Sequence, residues 1–569
     1  MKKIFLTIAI IGILTTGCDN YLDKQPLDTP ASTTYLTTEA EINLALTGVY
    51  NSSYWNTGNL PSQILLDLYT EIAVERTGSL ASGSFDAANT TVSNFWSFAY
   101  TTISRANILL DGMVRAKANT PVATYNRLEA EAKILRAWGY YHLIGLYGDV
   151  PFYTKPLEPS EYYSLERTPK KTIIDALLTD LDDAVTKLNW ASTERGRVNK
   201  GVALGLKARL AMLDGRYKIA AEATNTIITG GQYGLNPNYA DLFKKAGQTA
   251  NIGKEIMFEF LLPDAVANPV SYIGLGQGSR TIAGQSGRFP QQPLVDKFEC
   301  KDGKRIDQSP LYDPANPSKN RDSRLKWTVT MHGDTIEATA SGAKRKCVFN
   351  IYDANTQIFN YTTGKYALAT NADFSNAFGP VKNGMGYLWA KFTYDVDQDL
   401  FRSKAGFAYM RYAEILLMYA ESKIELGEID ASVINALNLV RKRSQMPNVA
   451  PEVAASPALM KQLARREKIV ELADEGLHLF DMRRWGTGVL TMNTKVYGAA
   501  KEATKPTPKP TFGGIGSVQD LNDIVDYTPT DALRFTREVR SFVENKHNLW
   551  PIPQRERDIN PKITQNPNW

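Results

Sequence analysis

The sequence predicts a mainly α protein built from helix pairs, interrupted by a loop-rich insertion that carries short strands. Three observations predict it. Apolar residues recur at spacings of three and four over long stretches on both sides of the chain's middle. That period fades between about residues 231 and 405, where Gly, Asn, Pro and Thr rise and aromatic residues fall in loops. Ala and Gly recur inside the helical stretches, where neighbouring helices need room to cross.

The chain opens MKKIFLTIAIIGILTTGC. Two lysines, a short apolar run and small residues before Cys18 read as a signal peptide over residues 1–17. The run is too short for a permanent membrane span. A cysteine directly after Gly17 resembles a lipobox, although Thr15 stands where the commonest version has Leu. Cys18 is therefore expected to become the acylated first residue of the mature protein; the alternative is an ordinary signal peptide with an unrelated cysteine. Residues 18–38 are polar, carry Pro26 and Pro30, and read as an extended tether.

The spacing then predicts helices over 39–50, 62–76, 95–118, 124–147, 171–188, 199–215 and 217–229. In KTIIDALLTDLDDAVTKL, Ile174, Leu177, Leu181, Val185 and Leu188 share one face, with Thr168-Pro169 as cap and first-turn proline. Asn199 and Gly215 read as the start and stop of the next helix, and Gly230-Gly231 ends the third. Ala203, Gly205, Ala208 and Ala211 leave space for a partner helix. The rhythm resembles tetratricopeptide-type pairs with a blurred 34-residue period. Within the variable part, 231–405, strands are expected near 327–331 and 346–352. Helices resume in 406–485, over 409–426, 430–444 and 459–474, and a Pro-rich extended part covers 486–569. Helical segments flank the insertion, so 39–569 reads as one unit.

Composition excludes several functions. Against 65 Lys and Arg stand 60 Asp and Glu, a net charge of +5 with no basic block, so no nucleic-acid partner is expected. Three cysteines without a CxxC pair and four scattered histidines without HExxH leave little material for metal hydrolysis or a His-based triad. No Walker loop or GxSxG elbow occurs, and GLGQGSR (274–280) lacks the third Gly of a dinucleotide fingerprint, so it reads as a flexible loop and no cofactor is expected. Cys300 and Cys347 remain either a disulfide or two separate thiols.

Four stretches, EAKILRAWGYYHLIGLYGDVPF (131–152), FAYMRYAEILLMYAESKIELG (407–427), EKIVELADEGLHLFDMRRWG (467–486) and NLWPIPQRERDINPKITQNPNW (548–569), resemble the SusD/RagB family, as does CDNYLDKQP at the expected mature N-terminus. The resemblance implies a SusD-like α-α superhelix with a variable loop-rich part. It also implies a surface-exposed outer-membrane lipoprotein that binds nutrient, usually a glycan, and acts as a lid on a SusC-like TonB-dependent transporter without catalysis.

A sugar site needs flat rings for C–H faces and polar groups for hydroxyls. Candidates placed in loops are Trp55, Tyr272, Phe289 and Trp389, with Trp96 at a helix start; Asp67 and Arg76 flank the first loop system as polar contacts. Leu135, Trp138, His142 and Leu146 follow helical spacing and read as core. Two other functions compete: a lipid-anchored helical scaffold that binds proteins or peptides, and a glycoside hydrolase using Glu471 and Glu475, one helical turn apart. Arg483 and Arg484 follow closely, which favours a buried ion-pair network. Asp395, Asp397 and Asp399 alternate without the Gly and Glu of an EF-hand and read as a solvated loop beside Arg402 and Lys404.

Overall fold

The computed structural model describes residues 35–76, 81–262, 271–514 and 516–569. The expected signal peptide, Cys18 and most of the tether lie outside them.

Helices dominate. α1 (Glu39–Ser53) starts at a capping box: Glu41 N–H donates to the Thr38 hydroxyl, and the Glu41 carboxylate accepts from Thr38 N–H. α2 (Thr90–Gly112) is capped by Asn89, whose side chain accepts from Thr91 and Val92 N–H at 2.9 and 3.2 Å. α3 (Val122–Tyr147), α4 (Lys170–Lys187), α5 (Lys200–Leu213) and α6 (Tyr217–Thr229) follow. The Asn199 cap stands, accepting from Val202 N–H at 3.1 Å. The expected Thr168 cap does not form. Pro169 takes the cap position, and Asp149, reaching from the preceding loop, accepts from Lys170 N–H at 2.7 Å.

After the insertion come α7 (Tyr412–Glu425), α8 (Ala431–Arg443), α9 (Pro457–Leu472) and α10 (His478–Trp485). Each of α1 to α6 packs on a neighbour in sequence. α7 then packs on α6, α8 and α9, so the second helical group continues the first despite the residues between them. Close crossings need small residues: a Cβ on Gly139 of α3 would lie 2.9 Å from the Ile103 side chain of α2. One core runs through both groups, from Leu36 to Ile563. His142 lies inside it, its Nδ1 3.0 Å from the Trp138 carbonyl, and burial pushes its pKa down to about 3.

Three segments depart from their helical or strand expectation, two because a distant partner captures the backbone and the third because the helical turn Arg324–Thr328 takes its first residues. Residues 62–76 form tight 3₁₀ turns over Ser62–Tyr69 and then β1 (Ala73–Glu75), which pairs with β3 (Arg288–Pro290). The Gln291 and Arg540 side chains also hold the Ala73 carbonyl. Residues 407–411 form β8 against β2 (Ile256–Phe260), so α7 begins only at Tyr412. The strand expected at 327–331 is reduced to Val329–Thr330, paired with Leu388–Trp389.

The loop-rich part carries one larger sheet, an antiparallel meander of β4 (Thr335–Ala340), β5 (Ala343–Val348), β6 (Asn355–Asn360) and β7 (Lys365–Thr370). Ser341 and Gly342 turn the first hairpin with φ of 52° and 77°, both on the left-handed side that a two-residue turn requires. Ile336, Ala338 and Ala340 point into a second core, which also takes Cys347, Phe289 and Trp389. β9 (Lys495–Ala500) and β10 (Arg534–Val539) pair in the C-terminal part, where the sequence predicts only extended chain.

The two cores are joined by a sheet of buried charge. Glu467 and Glu471 on α9, with Glu475 after it, meet Arg324 of the insertion, Arg411 at the end of β8 and Arg441 and Arg443 of α8. Lys391 and Glu255 complete the joint. A buried network was expected, but its cations were not. Arg484 pairs instead with Glu421 and Asp481, and Arg483 donates to the carbonyls of Gly145 and Leu146. Glu471 is fully buried, and its three guanidinium partners hold its carboxyl well below the usual range against the burial that would raise it. Glu475 is likewise held low by Arg411 and Lys391. Both carboxylates are paired with cations and closed to solvent, as a structural network requires.

Cys300 and Cys347 are two free buried thiols in different clusters. Burial pushes Cys347 up to about 12.

Candidate functional site

Five of the seven expected ligand contacts are core residues. Trp55 is fully buried; its Nε1 donates to the Thr102 hydroxyl at 3.2 Å, and His142 meets it edge-on at 4.6 Å. Phe289 faces inward in the β1–β3 ladder opposite Val74, and Trp389 pairs opposite Val329 over the second core. Buried Asp67 accepts from Gly476 N–H at 3.1 Å and His478 N–H at 3.3 Å, fixing the start of α10. Trp96 is 2% exposed and stands edge-on to Tyr147. A large ring gains most by leaving water, so the biggest aromatics of a loop are the first to be drawn inside.

Arg76 and Tyr272 remain half-buried. The Tyr272 ring rests against the second core, and its N–H donates to the Asn59 carbonyl at 2.9 Å. Arg76 has a different setting. Its N–H donates to the Gly287 carbonyl at 2.8 Å, extending the β1–β3 ladder by one step and delivering its side chain to the surface.

There it meets a built constellation. The Gly-rich stretch read as a flexible loop folds back on itself. Gln285, Ser286 and Gly287 N–H donate to the carbonyls of Leu275, Gly278 and Gly276. Glycines permit this approach, because a Cβ on Gly284 would overlap the Gly278 backbone. The fold-back presents Arg280 and the Gln285 carbonyl side by side, and the Arg76 and Arg280 guanidiniums both donate to that one oxygen. Asp373 locks the turn from beneath, accepting from Arg280 N–H and the Thr281 hydroxyl, each at 2.8 Å, and from the Ser279 hydroxyl. Five residues on, Phe378 is 51% exposed. The Arg76 guanidinium carbon lies 4.8 Å from its ring centroid and that of Arg280 5.4 Å. Burial, and then the neighbouring Arg76 charge, lower the Arg280 pKa.

Phe378, Arg280 and Gln285 were missed by sequence reasoning. Candidates are rings standing in loops, and the loop-rich part offers many such rings with nothing local to rank them. The available signal was Phe378 itself, flanked by Gly379-Pro380 in a segment with no apolar periodicity to draw it inward.

A cleft of about 650 Å³ lies apart from these residues, over the first core between α2, residues 153–163 and Arg555-Glu556, with Trp96 in its lining. Its rings are largely committed to one another. Tyr100 and Tyr153 stack at 8°, the Tyr100 hydroxyl donates to the Pro151 carbonyl, and the Tyr162 hydroxyl donates to Glu556. Among the described residues no group of three or more His, Cys, Asp or Glu side chains converges as a metal ion would require. Asp395 accepts from Lys245 N–H, and Asp399 from Gly342 and Phe401 N–H, so these carboxylates cap turns; Asp395 is buried, where a solvated position was expected. Among the described residues no helix is long and apolar enough to cross a membrane.

A continuous array of helix pairs, a loop-rich part joined to it by buried charge, and a ring flanked by guanidiniums at that part's surface define a helical-repeat protein with an outward-facing polar–aromatic site. Comparison with known proteins supplies the family. The SusD family model matches residues 240–569, more than half the chain, and the protein belongs to that family. A second model, described as starch-binding and associating with the outer membrane, matches residues 20–212. A SusD-like protein of Formosa agariphila is 25% identical over 507 residues, covering 83% of this chain and 87% of that one. A SusD-like carbohydrate-binding protein of Bacteroides fragilis superposes with a TM-score of 0.76 at 26% identity, over 93% of this chain and all of that one. A laminarin-binding SusD-like protein shares the fold, with a TM-score of 0.64 at 20% identity over 94% of this chain and all of that one.

Proposed function

We propose that this protein captures an extracellular glycan on the Arg76–Phe378–Arg280 face and passes it, without chemistry, to a SusC-like TonB-dependent transporter in the outer membrane. An acylated Cys18 and the tether after it hold the protein at the cell surface. Family membership supports the reading, as does the carbohydrate-binding relative of Bacteroides fragilis. The observation that carries it is Phe378, half exposed and flanked by two guanidiniums. Its ring offers a pyranose an apolar C–H surface, and the guanidinium N–H groups offer donors to the hydroxyls around it. The Asp373 anchor and the Gly fold-back hold the arrangement in place before ligand arrives, which lowers the ordering cost of binding. Trp55, Asp67, Trp96, Phe289 and Trp389 leave the proposed contact set because they are buried; Tyr272, whose ring rests against the second core, leaves it too, and Arg76 stays.

The test is isothermal calorimetry of the full-length protein in detergent, after a glycan array has found a ligand. Phe378→Ala is expected to weaken binding at least tenfold with an unchanged melting temperature. Unchanged affinity in that variant would move the site elsewhere.

A further inference from the structure

The Arg76–Phe378–Arg280 face has a property that a site for neutral sugar does not need. Its two guanidiniums share one carbonyl oxygen, and neither forms an ion pair among the described residues. Arg324, Arg411, Arg441, Arg443 and Arg466 each touch at least one carboxylate, whereas Arg483 and Arg540, like this pair, donate to carbonyls; what sets the pair apart is that two guanidiniums meet at one carbonyl oxygen. The nearby carboxylate of Asp373 attracts Arg280 through space, but its hydrogen bonds go to the Ser279 and Thr281 hydroxyls and Arg280 N–H, so it touches neither guanidinium. Two like charges side by side repel, and the Phe378 ring that screens one side of them cannot neutralise either. A hydroxyl satisfies a guanidinium donor but leaves that repulsion in place. An oxyanion does both, and guanidinium geometry accepts it through two parallel hydrogen bonds.

We infer that this face selects a negatively charged sugar, one whose carboxylate or sulfate ester bridges Arg76 and Arg280 while its ring lies against Phe378. The inference rests on the reading of this face as the glycan site and names the class of glycan. The near-neutral net charge of the chain does not supply the selectivity; it is local, set by two cations that the fold-back brings together with no carboxylate in direct contact among the described residues.

Matched ligand pairs test it. Full-length protein in detergent is titrated with oligogalacturonate and its carboxyl-reduced counterpart, and with a sulfated galactan oligosaccharide and its desulfated counterpart. The charged member of at least one pair is expected to bind tenfold or more tighter, with the advantage shrinking as salt rises from 50 to 300 mM. The pair that shows the preference identifies the anionic group. Arg76→Gln and Arg280→Gln are each expected to erase most of that advantage while keeping weak binding of the neutral member, whereas Phe378→Ala weakens both members. Equal affinity within both pairs, in a protein whose binding still depends on Phe378, overturns the inference and leaves the glycan site standing. Binding that ignores Phe378, or no binding to any glycan, overturns both.

Discussion

Arg411 grips Glu475 through two parallel hydrogen bonds, Nε to Oε2 and Nη2 to Oε1, each 2.7 Å long and closed to solvent. The pair ties the end of β8 to the turn between α9 and α10, and Lys391 reaches the same carboxylate at 2.9 Å. Glu475→Gln removes the charge that both cations were desolvated to meet. The expected loss is about 3–5 kcal/mol of stability, read by guanidinium denaturation. A variant as stable as the parent would contradict a structural role for this carboxylate.

Burial separates the large rings from the exposed one. Trp55→Ala and Trp389→Ala should each cost about 3–5 kcal/mol, because a fully buried indole leaves a cavity. Phe378→Ala should shift stability by no more than about 0.5 kcal/mol. Thermal melts of the three variants check this. If Trp389→Ala melted like the parent and lost only glycan binding, its place in the second core would be wrong.

Asp474 makes stability depend on pH in an unusual direction. Burial pushes its carboxyl up to about 7, against the opposing pull of Arg288 and the Gln277 hydrogen bonds. A raised folded-state pKa means that the native protein holds a proton the unfolded chain releases. The contribution is complete below the ordinary aspartate range, near pH 4, and is lost as pH climbs through about 7. Asp474→Asn keeps a neutral side chain at every pH and suits the residue's φ of 65°. Between pH 5 and pH 8 the variant should gain about 2–3 kcal/mol relative to the parent, measured by urea denaturation at both values. Parallel curves would refute it. The network glutamates act oppositely: their depressed pKa values give stability above about pH 4.5 that disappears as acid protonates them.

Anchoring makes a separate prediction. In the native host, Cys18→Ser should shift the protein from the membrane pellet to the soluble fraction, because one cysteine carries the proposed acyl chains. Retention of the variant in the pellet, at the parent's level, would remove the lipid anchor from the proposal.

Helix existence was legible because amphipathic spacing is a local property. Residues 217–229 were read with the boundaries the structure gives, and the core placing of Trp138 and His142 followed from their helical stripe. The misplaced segments, 62–76 and 409–411, look helical alone; residues 73–75 of the first and all of the second become strand because a partner some 150 to 215 residues away offers a ladder. Propensity does not carry that information.

The sequence by itself determined the helical pairs, the loop-rich interruption and the family, since these are written in spacing and in contiguous motifs. Tertiary structure alone decided which rings meet water and which cations meet Glu471 and Glu475. The physical reason is distance along the chain. Exposure and charge pairing are set by what folds against a residue, so Trp389 went inside, Phe378 stayed out, and Arg76 met Arg280 across some two hundred residues.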